Sequence, residues 1–161
     1  MTKTTSANIG TCGEHYVAGQ LSGYNLCVGL PRGGAARSDI FVARESGGPG
    51  FRIQVKTGTQ STKNDKELGP IYLWKMSPKA IDDYDDYFWY AYVWLNGWPD
   101  APTLPEVFFV PSKVVSDCIR KCRDDGETWL YFWMHAQDAV QYKGRDGLEF
   151  LMGDSRAEPI D

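Results

Sequence analysis

The stretch from Gly50 to Thr57, GFRIQVKT, alternates apolar and polar residues without interruption. Successive side chains of an extended chain point to opposite sides, so this alternation predicts a strand with one buried face and one polar face. The buried face consists of Phe51, Ile53 and Val55, and the polar face of Arg52, Gln54 and Lys56. A polar face has two interpretations, because it is either merely exposed to solvent or part of a functional site.

Length and composition favour a soluble, single-domain protein. The 161 residues fit one domain over 1–152 followed by a polar tail over 153–161. No apolar run approaches the ~18 residues of a membrane span, and the N-terminus lacks the apolar core of a signal peptide, so we expect a cytoplasmic protein. The cysteines have neither C-x-x-C spacing nor histidine partners at zinc-ligand intervals. Reduced, mostly buried thiols are therefore expected at Cys12, Cys27, Cys118 and Cys122.

The charge of the chain is unevenly distributed. The net charge is −4, yet the segment from Arg32 to Lys79 contains nine basic and four acidic residues, against eight and seventeen elsewhere. Such asymmetry can reflect an electropositive groove on an acidic body, which would suit the phosphate backbone of a nucleic acid. The alternative is that these lysines and arginines are merely solvated, and the sequence leaves both interpretations open.

Capping residues and apolar spacing predict the elements of the first half. A helix is expected from Ser6, which can cap it, to Gly23, which is well placed to end it. Ile9, Cys12, Tyr16 and Gly19 mark its apolar stripe, and Glu14 can reach the edge of this face. Strands are predicted over 24–30 and 38–44, and a glycine-rich hairpin connection over 45–50 leads into the alternating strand.

The second half contains the most apolar stretch of the chain. Phe88 to Leu95 has aromatic residues on both faces, which is typical of a central strand covered on both sides. Before it we expect a polar loop over 57–70, an extended segment over 71–75 and a helix start at Ser77-Pro78. After it we expect a strand over 106–110, a helix over 112–121 and a last amphipathic helix over 128–142.

Four polar residues converge if these elements pack as predicted. Glu14 projects from the first helix, and the hairpin brings Asp39 beside Gln54 and Lys56. Hard divalent cations such as Mg²⁺ bind oxygen ligands, which carboxylates, an amide and a main-chain carbonyl can supply. A lysine beside the ion can orient or help activate a water and can neutralise charge on a phosphate. This set is what metal-assisted phosphodiester hydrolysis requires.

In their order and strand context these residues resemble the PD-(D/E)xK nuclease superfamily, in a Gln-x-Lys form. The matching segments are Gly13-Glu14, Ser38-Asp39-Ile40, Ile53-Gln54-Val55-Lys56, the aromatic strand and 107–112, within roughly the first 120 residues. The resemblance implies an α/β, restriction-endonuclease-like fold, with a mixed central β-sheet flanked by helices. It also implies cleavage of DNA, or less often RNA, with Mg²⁺ as cofactor and Mn²⁺ as a substitute.

The resemblance further implies a role for each motif residue. Asp39 would be the principal metal ligand, with the side-chain oxygen of Gln54 and the main-chain carbonyl of Val55. Glu14 would complete the cluster directly or through water, and Lys56 would be the catalytic lysine. A homodimer is compatible with this fold, since cutting two strands needs two sites. Candidate phosphate contacts, each of which could instead be only solvated, are Arg32, Arg37, Arg52 and Lys63.

Two positions depart from the family pattern. Ser38 stands where proline is usual, and Gln54 replaces an acidic residue, which removes a negative charge and weakens cation binding. The alternative function is therefore a nuclease-fold domain that has lost catalysis and binds nucleic acid or a protein partner. A third interpretation is a small interaction domain, in which Asp39 ends a turn, Lys56 is a solvated edge-strand lysine and Glu14 is an exposed helix residue.

Overall fold

The computed structural model describes residues 4–31, 37–45, 47–66, 69–100 and 103–153, and within these ranges it contains eight strands and four α-helices. The strands are β1 (Leu26–Gly29), β2 (Ile40–Arg44), β3 (Phe51–Gly58), β4 (Thr62–Asp65), β5 (Gly69–Lys75), β6 (Phe88–Trp94), β7 (Glu106–Pro111) and β8 (Tyr131–His135). The helices are α1 (Ser6–Gly23), α2 (Ser112–Asp124), α3 (Ala136–Ala139) and α4 (Gly144–Leu151). Short 3₁₀ helices occupy Pro78–Ile81 and Val140–Tyr142.

A five-stranded mixed sheet forms the centre of the fold, in the order β1-β2-β3-β6-β7. The strands β1, β2 and β3 pair antiparallel, β3 and β6 pair parallel, and β7 returns antiparallel to β6. The strand predicted over Phe88 to Leu95 is indeed central and is covered on both faces. A mixed central sheet flanked by helices is the predicted fold class, which the structure confirms.

Helix α1 covers one face of this sheet. Val17 and Leu21 are fully buried against Ile40, Ile53 and their neighbours, and α4 adds Leu148 and Leu151 to the same core. The buried stripe differs from the predicted one, because Gly19 is exposed while Ile9, Cys12 and Tyr16 pack only partly. The N-cap is Thr5 rather than Ser6, since the Thr5 hydroxyl accepts the Asn8 N–H at 3.2 Å.

The opposite face of the central sheet packs on α2 and on a second, three-stranded sheet with the order β4-β5-β8. The core between them is largely aromatic. The Tyr92 and Phe132 rings stack at 4.6 Å, and the Tyr92 ring lies 4.8 Å from Trp74. Close-packed rings of this kind hold the two sheets in one relative position, so the polar end of β3 has a rigid support.

The expectation of a polar loop over 57–70 is wrong. This segment contains β4 and the first residues of β5, which pair antiparallel with Thr62 opposite Tyr72. The sequence of β4, TKND, has no apolar alternation, because the strand is largely exposed. Its extended conformation comes from hydrogen bonding to β5, a tertiary effect that local periodicity does not reveal.

The helix predicted over 128–142 is confirmed only in its last part, where Ala136–Ala139 form α3 and Val140–Tyr142 form a 3₁₀ helix. Residues 131–135 form β8, in which Phe132 and Met134 are buried and alternate with half-buried neighbours. The aromatic residues fit both helical spacing and strand alternation, and antiparallel pairing with β5 stabilises the strand. Helix α4 was not predicted, because it begins at Gly144 and contains Gly147, which are poor helix formers.

The cysteines are free thiols, as expected, but not mostly buried: Cys27 is exposed, and Cys12, Cys118 and Cys122 are half-buried. Among the described helices, none has the length and apolar character needed to cross a membrane. Apart from Gly153, the predicted polar tail lies outside the described residues.

Candidate active site

Asp39 immediately precedes β2, at the point beyond which β3 has no strand partner on this side among the described residues. Strand β2 pairs with β3 as far as Ile40 opposite Ile53, whereas β3 runs on to Gly58. The Asp39 N–H donates to the Ile53 carbonyl at 2.9 Å, and Oδ2 of its carboxylate accepts the Val55 N–H at 2.7 Å. The side chain of Asp39 thus extends the hydrogen-bond ladder by one step, which fixes its carboxylate against the edge of β3.

The main-chain carbonyl of Val55 faces the same edge. The N–H and C=O of a strand residue point towards the same neighbour, and the N–H of Val55 points to Asp39. Within the described ranges, β3 has no strand partner on this side beyond Ile53. An acidic side chain and a main-chain carbonyl oxygen therefore share one open edge of the sheet.

Glu14 reaches this edge because α1 lies very close to β3. A β-carbon at Gly13 would collide with the side chain of Thr57, so only glycine permits this approach. Burial raises the pKa of Glu14, the negative charge of Asp39 raises it further, and His15 partly offsets both effects. The two carboxylates are thus near enough to repel each other, as ligands of a shared cation are in its absence.

The oxygen atoms at this edge fit a hard divalent cation. Asp39 and Glu14 supply carboxylates and Val55 a carbonyl, while Oδ1 of Asp39 has no hydrogen bond to the described residues. No group of three or more histidine, cysteine, aspartate or glutamate residues forms a metal cluster in the described ranges. The amide of Gln54, adjacent in the sequence, is one further oxygen that could complete the ligand set.

Gln54 and Lys56 lie on one face of β3, as their spacing predicted, and both line a cavity of about 320 Å³. The cavity sits between β3 and the segment around the 3₁₀ helix Pro78–Ile81. Its polar lining consists of Arg37, Gln54, Lys56, Ser77, Lys79 and Asp83. The structure therefore joins Gln54 and Lys56 in one concave site next to the edge that bears Asp39.

An ion-pair network borders the cavity. Arg52 lies 3.7 Å from the carboxylate of Asp83 and 2.6 Å from that of Asp85, and its guanidinium stands 4.2 Å from the centre of the Phe88 ring. Arg37 contacts Asp83 at 3.4 Å. Asp83 and Asp85, in the turn that leads into β6, are thus paired with arginine side chains.

The four candidate phosphate contacts have different surroundings. Arg37 lines the cavity beside Lys56, and Arg52 is on the same face of β3 but is held by its two aspartates. Lys63 lies on β4 in the second sheet and pairs with Asp65 at 3.6 Å. Arg32 is outside the described residues.

Two cavity residues were missed from the sequence. Lys79 follows the Ser77-Pro78 helix start, where the Ser77 hydroxyl accepts the Lys79 N–H at 3.3 Å. The sequence predicts this cap, and a cap fixes the backbone of Lys79, so Lys79 could have been named as a candidate site residue. Tyr90 stands opposite Gln54 in the parallel pair of β3 and β6, a register that the sequence does not specify.

Comparison with known structures shows that this fold is shared with a protein of known structure. The solved structure of the bacterial homing endonuclease I-Ssp6803I is similar to this chain with a TM-score of 0.57, over 96% of this chain and 97% of that one. The two sequences are 13% identical, so the similarity shows a shared fold. No family model and no curated protein match the sequence.

Proposed function

We propose that the protein is a metal-dependent nuclease that hydrolyses phosphodiester bonds, with DNA as the expected substrate. The observation that carries this proposal is the placement of Asp39. Its carboxylate accepts the Val55 N–H at the point where β3 extends beyond its pairing with β2, and it lies near Glu14. The fold around it is shared with a homing endonuclease. The PD-(D/E)xK resemblance of the sequence assigns its motif to the same edge.

Asp39, Glu14, the Val55 carbonyl and the Gln54 amide oxygen would hold Mg²⁺, or Mn²⁺ in its place. When bound, such an ion supplies a Lewis acid for the phosphate and lowers the pKa of a coordinated water. The hydrogen bond from Val55 N–H to Asp39 fixes the carboxylate in advance, so less ordering is needed when the ion arrives.

Lys56 would act on the phosphate and on the attacking water. Its side chain shares a cavity with Gln54, one residue beyond the Val55 carbonyl. A lysine ammonium group in this position stabilises the negative charge that develops on the phosphate oxygens and donates a hydrogen bond that orients the water. The first of these effects requires a positive charge at position 56.

Gln54 keeps a second function open. With an amide in place of a carboxylate, Asp39 and Glu14 supply the negative charges at this edge, and cation affinity falls with ligand charge. A domain that binds nucleic acid without cutting it would tolerate this loss. Gln54→Glu restores the usual charge, so a nuclease is expected to bind Mn²⁺ more tightly after this change.

A cleavage assay with matched variants tests the proposal. The purified protein is incubated with linear, supercoiled, single-stranded and branched DNA and with RNA, with Mg²⁺, Mn²⁺ or EDTA. We expect cleavage that depends on the metal and falls at least about 100-fold in Asp39→Asn and Lys56→Ala. Asp125→Asn, a change on an exposed loop, is the control and should cleave like the wild type.

Metal binding is measured separately by calorimetric titration of Mn²⁺. Asp39→Asn should weaken it, whereas Lys56→Ala should not, because Lys56 is proposed to act on the phosphate and water rather than on the ion. Binding of nucleic acid without cleavage on any substrate would establish the catalytically degenerate function instead. A protein that neither binds nor cleaves nucleic acid would contradict both functions.

A further inference from the structure

The cavity beside Lys56 has the charge of an anion site. Arg37, Lys56 and Lys79 bring three positive charges to its lining, against one carboxylate, that of Asp83. Asp83 pairs with Arg37 of the lining at 3.4 Å and with Arg52 outside it at 3.7 Å, while Lys56 and Lys79 have no ion-pair partner among the described residues. An excess of positive charge therefore remains, and a phosphate is an anion that lysine and arginine side chains bind well.

Part of the cavity lining is apolar. Met76 and Ala80 lie in the segment around the 3₁₀ helix, the ring of Tyr90 lies beside Gln54 on the sheet, and all three residues are buried. A site for inorganic phosphate or for a duplex backbone needs no such lining, whereas a nucleotide carries an anionic group and a flat, largely apolar base. The volume of about 320 Å³ is small for a ligand pocket and suits one nucleotide rather than a stretch of duplex.

Strand β3 also connects the cavity with the proposed metal site. Gln54 and Lys56 line the cavity, while Val55, between them, presents its backbone to Asp39 on the open edge. If one phosphate of a nucleic-acid strand lies at this edge, the next nucleotide of that strand lies one backbone repeat away. That nucleotide is the group placed to enter the cavity.

We propose that this cavity binds one unpaired nucleotide next to the bond that is cut, with its phosphate on Lys79 and Arg37 and its base against Met76, Ala80 and Tyr90. This inference rests on the proposed nuclease function and adds a substrate class. A base paired inside a duplex has to leave the stack before it can enter this cavity. The preferred substrates are therefore single strands or duplexes with an unpaired nucleotide.

The first test measures binding without cleavage, with the full-length protein in EDTA. Two otherwise identical duplexes are compared by fluorescence anisotropy, one fully paired and one with a single unpaired 2-aminopurine. We expect at least tenfold tighter binding of the second duplex, together with a change in 2-aminopurine fluorescence as the base enters the cavity. Equal affinities for the two duplexes would overturn the proposal.

The second test uses lysine variants. Lys79→Gln should weaken binding of the unpaired substrate about tenfold and lower the slope of log K against log salt by roughly one, as expected for one lost phosphate contact. Lys121→Gln, which removes an exposed lysine of α2 outside the cavity lining, is the matched control and should change neither quantity. Indistinguishable behaviour of the two variants would contradict the proposal.

The third test separates a nucleotide site from a basic patch. Ala80→Leu fills the apolar part of the cavity without changing any charge, and it should abolish the preference for the unpaired duplex while affinity for the paired duplex stays the same. If this variant fails to fold, wild-type protein is titrated with a deoxynucleoside monophosphate and with inorganic phosphate. At least tenfold tighter binding of the nucleotide supports the proposal, and equal affinities overturn it.

Failure of this inference is distinguishable from failure of the proposed function. Metal-dependent cleavage without any preference for unpaired nucleotides would leave the nuclease standing and remove the nucleotide cavity. Binding that prefers unpaired nucleotides and depends on Lys79, but without cleavage, would support the cavity in a protein that does not cut.

Discussion

Gly13 of α1 lies against the side chain of Thr57 near the end of β3, at a distance that leaves no room for a β-carbon. The contact sets how closely the helix approaches the strand. It thereby brings Glu14, the next residue, into the electrostatic range of Asp39. The geometry of the proposed metal site thus depends on a glycine that would itself touch neither metal nor substrate.

Gly13→Ala should therefore reduce both stability and activity. The added methyl group would push α1 away from β3, and overpacking of this kind costs about 1–3 kcal/mol of unfolding free energy. Displacement of Glu14 should lower cleavage by up to about 100-fold. Urea unfolding and the cleavage assay measure the two effects.

The control lies on the same helix. Gly19 is exposed and has open space around its α-carbon, so Gly19→Ala should stabilise the protein by up to about 1 kcal/mol and leave activity unchanged. If Gly13→Ala is as stable and as active as Gly19→Ala, the contact with Thr57 does not position the helix.

Asp39 should have a structural role that can be separated from its proposed catalytic one. Asp39→Ala leaves the Val55 N–H without its acceptor, and Val55 is buried, so we expect a loss of about 1–3 kcal/mol of unfolding free energy. Asp39→Asn keeps an acceptor oxygen and should lose less than 1 kcal/mol. Denaturant unfolding of both variants checks this difference, and equal losses would contradict it.

Tyr72 should make the protein sensitive to alkaline pH. Burial, the hydrogen bond from its hydroxyl to Glu106 at 3.0 Å and the Glu106 charge raise its pKa to about 12. An unfolded tyrosine ionises near pH 10, so the stabilisation is fully present below pH 10 and is lost as the pH rises towards 12.

The measurement is urea unfolding at intervals from pH 9 to pH 11.5, in the wild type and in Tyr72→Phe. Other buried tyrosines contribute to the decline in both proteins, but Tyr72→Phe should show the smaller decline. Glu106→Gln, which removes one cause of the raised pKa, should fall between the two. Three parallel curves would refute the assignment to Tyr72.

The cysteines should differ in reactivity. Cys27 is exposed, whereas burial of the Cys118 thiol raises its pKa to about 11 and leaves little reactive thiolate at pH 8. Iodoacetamide labelling followed by peptide mass spectrometry should modify Cys27 first and Cys118 at least tenfold more slowly. Cys27→Ser should abolish the fast reaction; its persistence would place the fast thiol elsewhere.

The part of the fold set by local patterns was predictable. Alternation over Gly50 to Thr57 predicted β3 to within one residue, because one of its faces packs on α1 and the other borders a cavity. Strand β4 was missed because its polar residues carry no such pattern. The sequence predicts a helix at β8 because its aromatic residues fit both the helical and the strand period. Only the pairing with β5 shows that they form a strand.

The order of the motif residues along the chain could be predicted from the sequence, but the other residues that line the cavity could not. The hairpin between β2 and β3 brings Asp39 to β3 through a short connection, so adjacency in the sequence was sufficient there. Lys79 and Tyr90 join the cavity through the parallel pairing of β3 with β6, which depends on a long crossover that passes through the second sheet. Distant registers of this kind are set by packing of the whole core.

The open edge of β3 beyond Ile53 also matters for how the protein behaves at high concentration. An unpaired strand edge is a template for pairing with another chain, which is a common route to aggregation. Helix α1 packs close to the Thr57 side chain at Gly13, and the Asp39 carboxylate accepts the Val55 N–H. We therefore expect the residues that shape the proposed site also to hinder edge-to-edge pairing between copies of the chain.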